Sequence, residues 1–126
     1  MTQPKFMLVD DNPIDLMVNR RLLQNTFEGA TVNSFNNSVD AVEFFKKNGS
    51  NSAELPNVVL LDIIMPRLDG FQVIEELEKI FTAIPFKIFL LSSTLDDADF
   101  DKAKESRSVQ KILGKPLDTE NLKTLI

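Results

Sequence analysis

A chain of 126 residues with 43% apolar side chains is large enough for one hydrophobic core and too short for several. It contains neither cysteine nor histidine, which excludes a disulfide framework, thiolate and zinc sites, and Ser-His or Cys-His catalysis. Its 14 basic and 19 acidic side chains leave a net charge of -5, which opposes broad binding to nucleic-acid backbones.

MTQPKF at the start has no basic region followed by an apolar stretch, and no apolar run approaches a membrane span. The expectation is a cytoplasmic single domain over residues 1–126, with no effector domain, no nucleic-acid surface and no membrane contact.

The first predicted strand is FMLV, 6–9, which runs into Asp10-Asp11. Asn12-Pro13 then starts a helix, Asn as the N-cap and Pro in the first turn. Ile14, Met17, Val18 and Leu22 recur along it at helical spacing. ATVNSF, 30–35, alternates partly, as an edge strand does. A second helix fits Ser38 to Lys47, carrying Ala41, Val42 and Phe45 and stopping at Asn48-Gly49. VVLL, 58–61, is the third strand and ends in Asp62. A third helix begins near Asp69-Gly70 and places Ile74, Leu77 and Phe81 on one face. IFLL, 88–91, is the fourth strand, followed by Ser92-Ser93-Thr94. A sparse fourth helix, from about Asp96 to Ser106, offers Ala98, Phe100 and Ala103. KILG, 111–114, is the fifth strand and leads into Lys115-Pro116; a short helix from Asp118 carries Leu122, Leu125 and Ile126.

Five strand–helix units predict an α/β fold: a doubly wound (βα)5 parallel sheet with helices on both faces and the flavodoxin-like strand order 2-1-3-4-5. The unbroken apolar runs suit strands covered on both sides. Ligands of such sheets bind beyond the carboxyl ends of the strands. Those ends carry Asp10 and Asp11, Asp62, the Ser92–Thr94 hydroxyls and Lys115.

Carboxylates gathered there repel one another; two unit charges 4 Å apart cost roughly 4 kcal/mol at an effective dielectric of 20. Such a cluster holds either protons or a cation, and oxygen ligands alone point to a hard divalent ion, Mg²⁺. A nearby hydroxyl and ammonium suit the oxygens of a phosphoryl group. Asp62 is then the candidate nucleophile, forming an acyl phosphate, while Asp10 and Asp11 hold metal directly or through water. Taken singly these residues have plainer readings. Asp10-Asp11 suits a helix start, Asp62 and Ser92-Ser93 suit turns, Lys115 suits a solvated surface, Asp69 a helix cap and Gly70 close packing. Their joint placement at strand ends favours the site.

LVDD (8–11), LLDIIMPRLDG (60–70), LLSS (90–93) and GKP (114–116) occur in the order and spacing of a response-regulator receiver domain. The chain resembles that family of two-component phosphorelay proteins, and single-domain chemotaxis-type regulators within it, over essentially its whole length. The resemblance implies that Asp62 is the phosphoacceptor, that Asp11 binds Mg²⁺ directly and Asp10 through water, and that the Ile64 backbone carbonyl is a further ligand. It implies that Ser92 bonds the phosphoryl group, that Lys115 pairs with it, and that Lys115-Pro116 is a cis bond. It also implies a phosphohistidine donor, on a sensor histidine kinase or a histidine phosphotransfer protein. The output would be a conformational switch or onward transfer, with no catalysis beyond the domain's own phosphorylation and dephosphorylation.

One position departs from the family's common pattern, and two others bear on the lifetime of the phosphorylated state. Ile112 stands where many receivers place a Tyr or Phe that swings with the Ser/Thr, so this chain cannot signal by that ring. Ile64 and Thr94 occupy the positions that tune dephosphorylation, and an apolar Ile64 is expected to hinder the hydrolytic water. Other readings meet obstacles in the residues. A flavodoxin-like cofactor binder needs a phosphate loop where this chain has acidic DDNP. An aspartate-nucleophile phosphohydrolase needs a second acid where Ile64 stands. A degenerate receiver acting as a protein-binding scaffold would not need the complete acid, hydroxyl and lysine set.

Overall fold

The structure, a computed structural model, describes residues 3–94 and 96–126. Strands β1 (Lys5–Val9), β2 (Thr31–Phe35), β3 (Val58–Asp62), β4 (Lys87–Ser92) and β5 (Val109–Gly114) alternate with helices. These are α1 (Pro13–Thr26), α2 (Ser38–Asn48), α3 (Gly70–Ile80), α4 (Asp97–Glu105) and α5 (Thr119–Leu125). The strands form one parallel sheet, as the repeated βα pattern predicts, and their order is β2-β1-β3-β4-β5, the order expected of a flavodoxin-like fold.

Alternation along each strand divides the apolar runs between two cores. Met7, Val9, Val59, Leu61, Ile88 and Leu90 face α2 and α3, where Val42, Phe45, Ile74 and Leu77 meet them. Phe6, Leu8, Val58, Leu60, Phe89 and Leu91 face the opposite way, onto Leu23 of α1 and Leu122 of α5. This double coverage is why β1 and β3 read as unbroken apolar stretches. The outer strands differ: β2 buries Val32 between exposed neighbours, and β5 buries only Ile112 and Leu113. Phenylalanines serve the core as expected, with Phe45 stacked on Phe86 at 5.0 Å and Phe81 edge-on to Phe86 at 5.6 Å.

Helix α1 departs from its apolar spacing. Ile14, Met17 and Val18 are 66%, 58% and 41% exposed, and the helix buries Asn19 and Leu23 instead, with Leu16 packed beside them. Two helical series overlap in this sequence, one through 14, 17 and 18 and one through 16, 19 and 23. The connection from β1 through Asp10, Asn12 and Pro13 selects the second. α3 behaves as expected at Ile74 and Leu77, but it ends at Ile80, and Phe81 is its half-buried C-cap. α4 is capped by Asp96 and buries only Ala103, with Phe100 partly covered and Ala98 exposed. No helix among the described residues is long and apolar enough to cross a membrane.

Candidate active site at the carboxyl ends of the strands

Parallel pairing brings the chemistry-bearing positions to one end. Val9 pairs with Leu61, Asp62 with Leu91, and Ser92 with Gly114. Asp10 directly follows β1, Asp62 and Ser92 are the last residues of β3 and β4, and Lys115 directly follows β5.

Local bonds fix each residue. The Asp10 N–H donates to the Phe35 carbonyl at 3.1 Å, and its Oδ1 accepts from the Asn12 N–H at 3.0 Å. This Asx turn bends the chain into α1, where the Asn12 side chain caps the N–H groups of Ile14 (2.9 Å) and Asp15 (3.2 Å). Beyond Asp62, the Ile63 N–H donates to the Leu91 carbonyl at 3.0 Å, and the Gly70 N–H donates to the Ile63 carbonyl at 2.8 Å. Gly70 has to be glycine because a Cβ would lie 2.7 Å from the Asp62 carbonyl oxygen and 3.0 Å from the Ile63 Cα. Asp69 and Gln72 close a capping box on α3. The tight turn after Asp62 thus seats α3 directly against the end of β3. Within that turn Arg67 adopts a left-handed backbone, φ 69°. The Lys115–Pro116 peptide is cis, and the Lys115 N–H donates to the Ser92 carbonyl at 3.1 Å.

Among the described residues, Asp10, Asp11 and Asp62 each present a carboxylate oxygen, all within 4.8 Å of one another; Asp10 and Asp62 are buried and Asp11 is exposed. The Lys115 ammonium reaches Asp10 Oδ2 at 2.8 Å, Asp15 Oδ2 at 3.1 Å and Asp62 Oδ2 at 3.3 Å. Asp62 and Lys115 share one cleft with Ser92 and Ser93, and Ile14 and Ile64 stand at its wall. The Ser92 hydroxyl accepts from the Thr94 N–H at 3.2 Å. All the sequence-predicted site residues therefore meet at this end of the sheet. Asp15, which sequence reasoning missed, joins them.

The electrostatics follow from burial and crowding. Burial pushes the Asp62 carboxyl up to about 6, the nearby Asp10 charge adds to this, and Lys115 opposes both. Burial works against the charged Lys115, but its bond to Asp10, the charges of Asp62 and Asp10, and its bond to Asp15 together hold it above the ordinary lysine value. Four carboxylates gather here, three of them within ion-pair distance of the Lys115 ammonium. The residual negative charge, offered entirely through hard oxygen donors, fits a divalent cation of the Mg²⁺ kind.

Comparisons with known proteins show the family and the fold. The response regulator receiver domain family matches residues 6–126. The protein PilH of Pseudomonas aeruginosa is 30% identical over 119 residues, covering 94% of this chain and 90% of PilH. A response regulator receiver protein from Dyadobacter fermentans superposes with a TM-score of 0.84 at 30% identity, covering 96% of this chain and 93% of its own. A two component response regulator from Cytophaga hutchinsonii gives 0.89 at 25% identity, covering 99% and 95%. Receivers bind Mg²⁺ at an acidic aspartate cluster and interact with histidine kinases or phosphotransfer proteins. With the family match spanning the sheet, the acid cluster and the lysine alike, the chain belongs to the response regulator receiver domains of two-component systems.

Proposed function

We propose that Asp62 accepts a phosphoryl group from a phosphohistidine donor in an Mg²⁺-dependent reaction, and that the phosphorylated domain signals by a shift in shape or passes the group on. The observation that carries this reading is the meeting of Asp62 with both Lys115, at 3.3 Å, and the Asp10–Asp11 pair at the carboxyl end of the sheet.

In this reading a carboxylate oxygen of Asp62 attacks phosphorus, an O–P bond forms, and the N–P bond to the donor imidazole breaks. The imidazole leaves with the bonding electron pair. The end of β3 and the turn pinned by Gly70 hold Asp62 in place for in-line approach. Lys115 turns its ammonium to a phosphoryl oxygen, and the Ser92 hydroxyl takes another. Asp10, Asp11, Asp62 and the Ile64 carbonyl would hold Mg²⁺, which supplies positive charge opposite the developing phosphoryl charge.

The donor brings its own histidine, since this chain has none. Ile14 on α1 and Ile64, 66% and 67% exposed, form an apolar margin of the cleft, and Met17 and Val18 extend the exposed apolar surface along α1 for the donor domain to cover. In this reading the switch has no aromatic gate, because that position holds Ile112, buried in the core with Ala103 of α4. When Ser92 turns toward the phosphoryl group it releases the Thr94 N–H, and the loop leading to the lightly anchored α4 moves.

The test is intact-mass measurement after incubation with acetyl phosphate and Mg²⁺. Wild type gains one phosphoryl mass; Asp62→Asn, or wild type with chelator, gains none. A wild type shown to bind Mg²⁺ that gains no mass contradicts the reading.

A further inference from the structure

We infer that Asp15 is a positioning residue of this site: it holds the Lys115 ammonium from the solvent side, strengthens the site for a divalent cation, and disfavours highly charged small-molecule phosphodonors. The inference rests on the phosphoacceptor reading of Asp62.

An ammonium has three N–H donors, and Lys115 Nζ lies within ion-pair distance of three carboxylates. Two of these partners, Asp10 and Asp62, belong to the acid cluster that fits the cation. Asp15 does not belong to it. A cation at the cluster and a phosphoryl group on Asp62 each draw on the partners of Lys115, whereas Asp15 stays free to hold it.

Asp15 is placed for this by the helix start. It lies three residues past the Asn12 cap, its own N–H is bonded to the cap side chain at 3.2 Å, and helical side chains lean back toward the N-terminus. Its carboxylate therefore lies over the site instead of in the solvent beyond it. Yet its side chain is 38% exposed, against 2% for Asp10, so it sits at the mouth where an incoming donor passes. Asp10 and Asp15 share one bonded nitrogen, so their carboxylates are close neighbours and Asp15 adds to the field at the cluster. A negative charge there attracts an entering divalent cation and repels an entering dianion.

The signs of these two effects are opposite, and a merely structural residue would not produce both. Asp15→Asn keeps the size and removes the charge; Asp15→Glu keeps the charge. Calorimetric titration of the unphosphorylated full chain with Mg²⁺ should show roughly tenfold weaker binding for Asp15→Asn and recovery in Asp15→Glu. At saturating Mg²⁺, rates of phosphoryl mass gain should be compared for acetyl phosphate, a dianion at neutral pH, and phosphoramidate, which carries less charge. Asp15→Asn should raise the acetyl phosphate rate relative to the phosphoramidate rate several-fold, and added salt should shrink that difference. Unchanged Mg²⁺ affinity in Asp15→Asn overturns the inference, as does an unchanged donor ratio in a protein that is phosphorylated. A wild type that binds Mg²⁺ but takes phosphoryl from neither donor defeats the Asp62 reading instead, and the metal titration alone then decides the role of Asp15.

Discussion

In divalent-free buffer, replacing Asp62 by Asn should stabilise the protein, and the gain should depend on pH in a defined way. Asp62 is only 6% exposed at the end of β3. Burial, and after it the Asp10 charge, raises its pKa to about 6 from the ordinary 3.8, with Lys115 opposing. The folded state therefore binds this proton more tightly than the unfolded chain does. The resulting stability is fully present below 3.8 and is lost as pH rises through about 6. At 1.36 kcal/mol per pH unit, the ionised side chain costs the fold about 3 kcal/mol at pH 8. Asparagine resembles the protonated acid in shape and never ionises, so it escapes this cost. The assay is urea unfolding of both proteins in chelator between pH 4 and pH 8. The difference in unfolding free energy should be near zero at pH 4 and reach about 3 kcal/mol in favour of Asp62→Asn at pH 8, a gap of roughly 10 °C in Tm. Mg²⁺ should close the gap at pH 8, because wild type gains about 2.7 kcal/mol at a hundredfold excess over Kd and the variant has lost a ligand. A difference that is flat with pH, or an Asn variant less stable than wild type at pH 8 without metal, would refute the reasoning.

Three further outcomes are expected. Gly70→Ala gains helix propensity, yet its Cβ would sit 2.7 Å from the Asp62 carbonyl oxygen; the clash should win, costing about 1–3 kcal/mol in urea unfolding and slowing phosphoryl uptake. Ile64→Asn replaces an exposed apolar side chain at the cleft wall with one able to hold a water, so the phosphorylated protein should lose its phosphoryl mass several-fold faster; an unchanged rate would contradict a shielding role. Lys115→Met strands the buried Asp10 carboxylate, and in chelator at pH 7 this should cost about 3–5 kcal/mol, with Mg²⁺ restoring part of it.

The parts of this molecule that were legible in the sequence are those set by burial on both faces. β1, β3 and β4 announced themselves because covered parallel strands need apolar residues at every position, and their ends named Asp10, Asp62 and Ser92 directly. The parallel pairing followed from connection rules, its strand order from likeness to the flavodoxin-like fold, and the cap at Asn12 from a local bond. The face of α1 was not legible. Apolar residues lie on two overlapping helical tracks, and only the geometry of the turn at Asp10 decides which one meets the sheet, leaving Ile14, Met17 and Val18 outside. Asp15 was missed for a related reason. An acid in the first turn of a helix is adequately explained by the helix dipole, and only the placement of Lys115, 100 residues away, gives it a second partner. A signal did exist: three residues past a cap that follows two site acids, a side chain leans back over that site.

The central claim, that Asp62 is the residue that takes the phosphoryl group, is tested most directly by chemical trapping. An aspartyl phosphate is reduced by borohydride to homoserine, whereas a free carboxylate is not. After treatment with acetyl phosphate and Mg²⁺, reduction and peptide sequencing by mass spectrometry, homoserine should stand at position 62 and at no other aspartate. Homoserine at Asp10, Asp11 or Asp15 with position 62 unmodified, or none anywhere in a protein that binds Mg²⁺, would contradict the assignment.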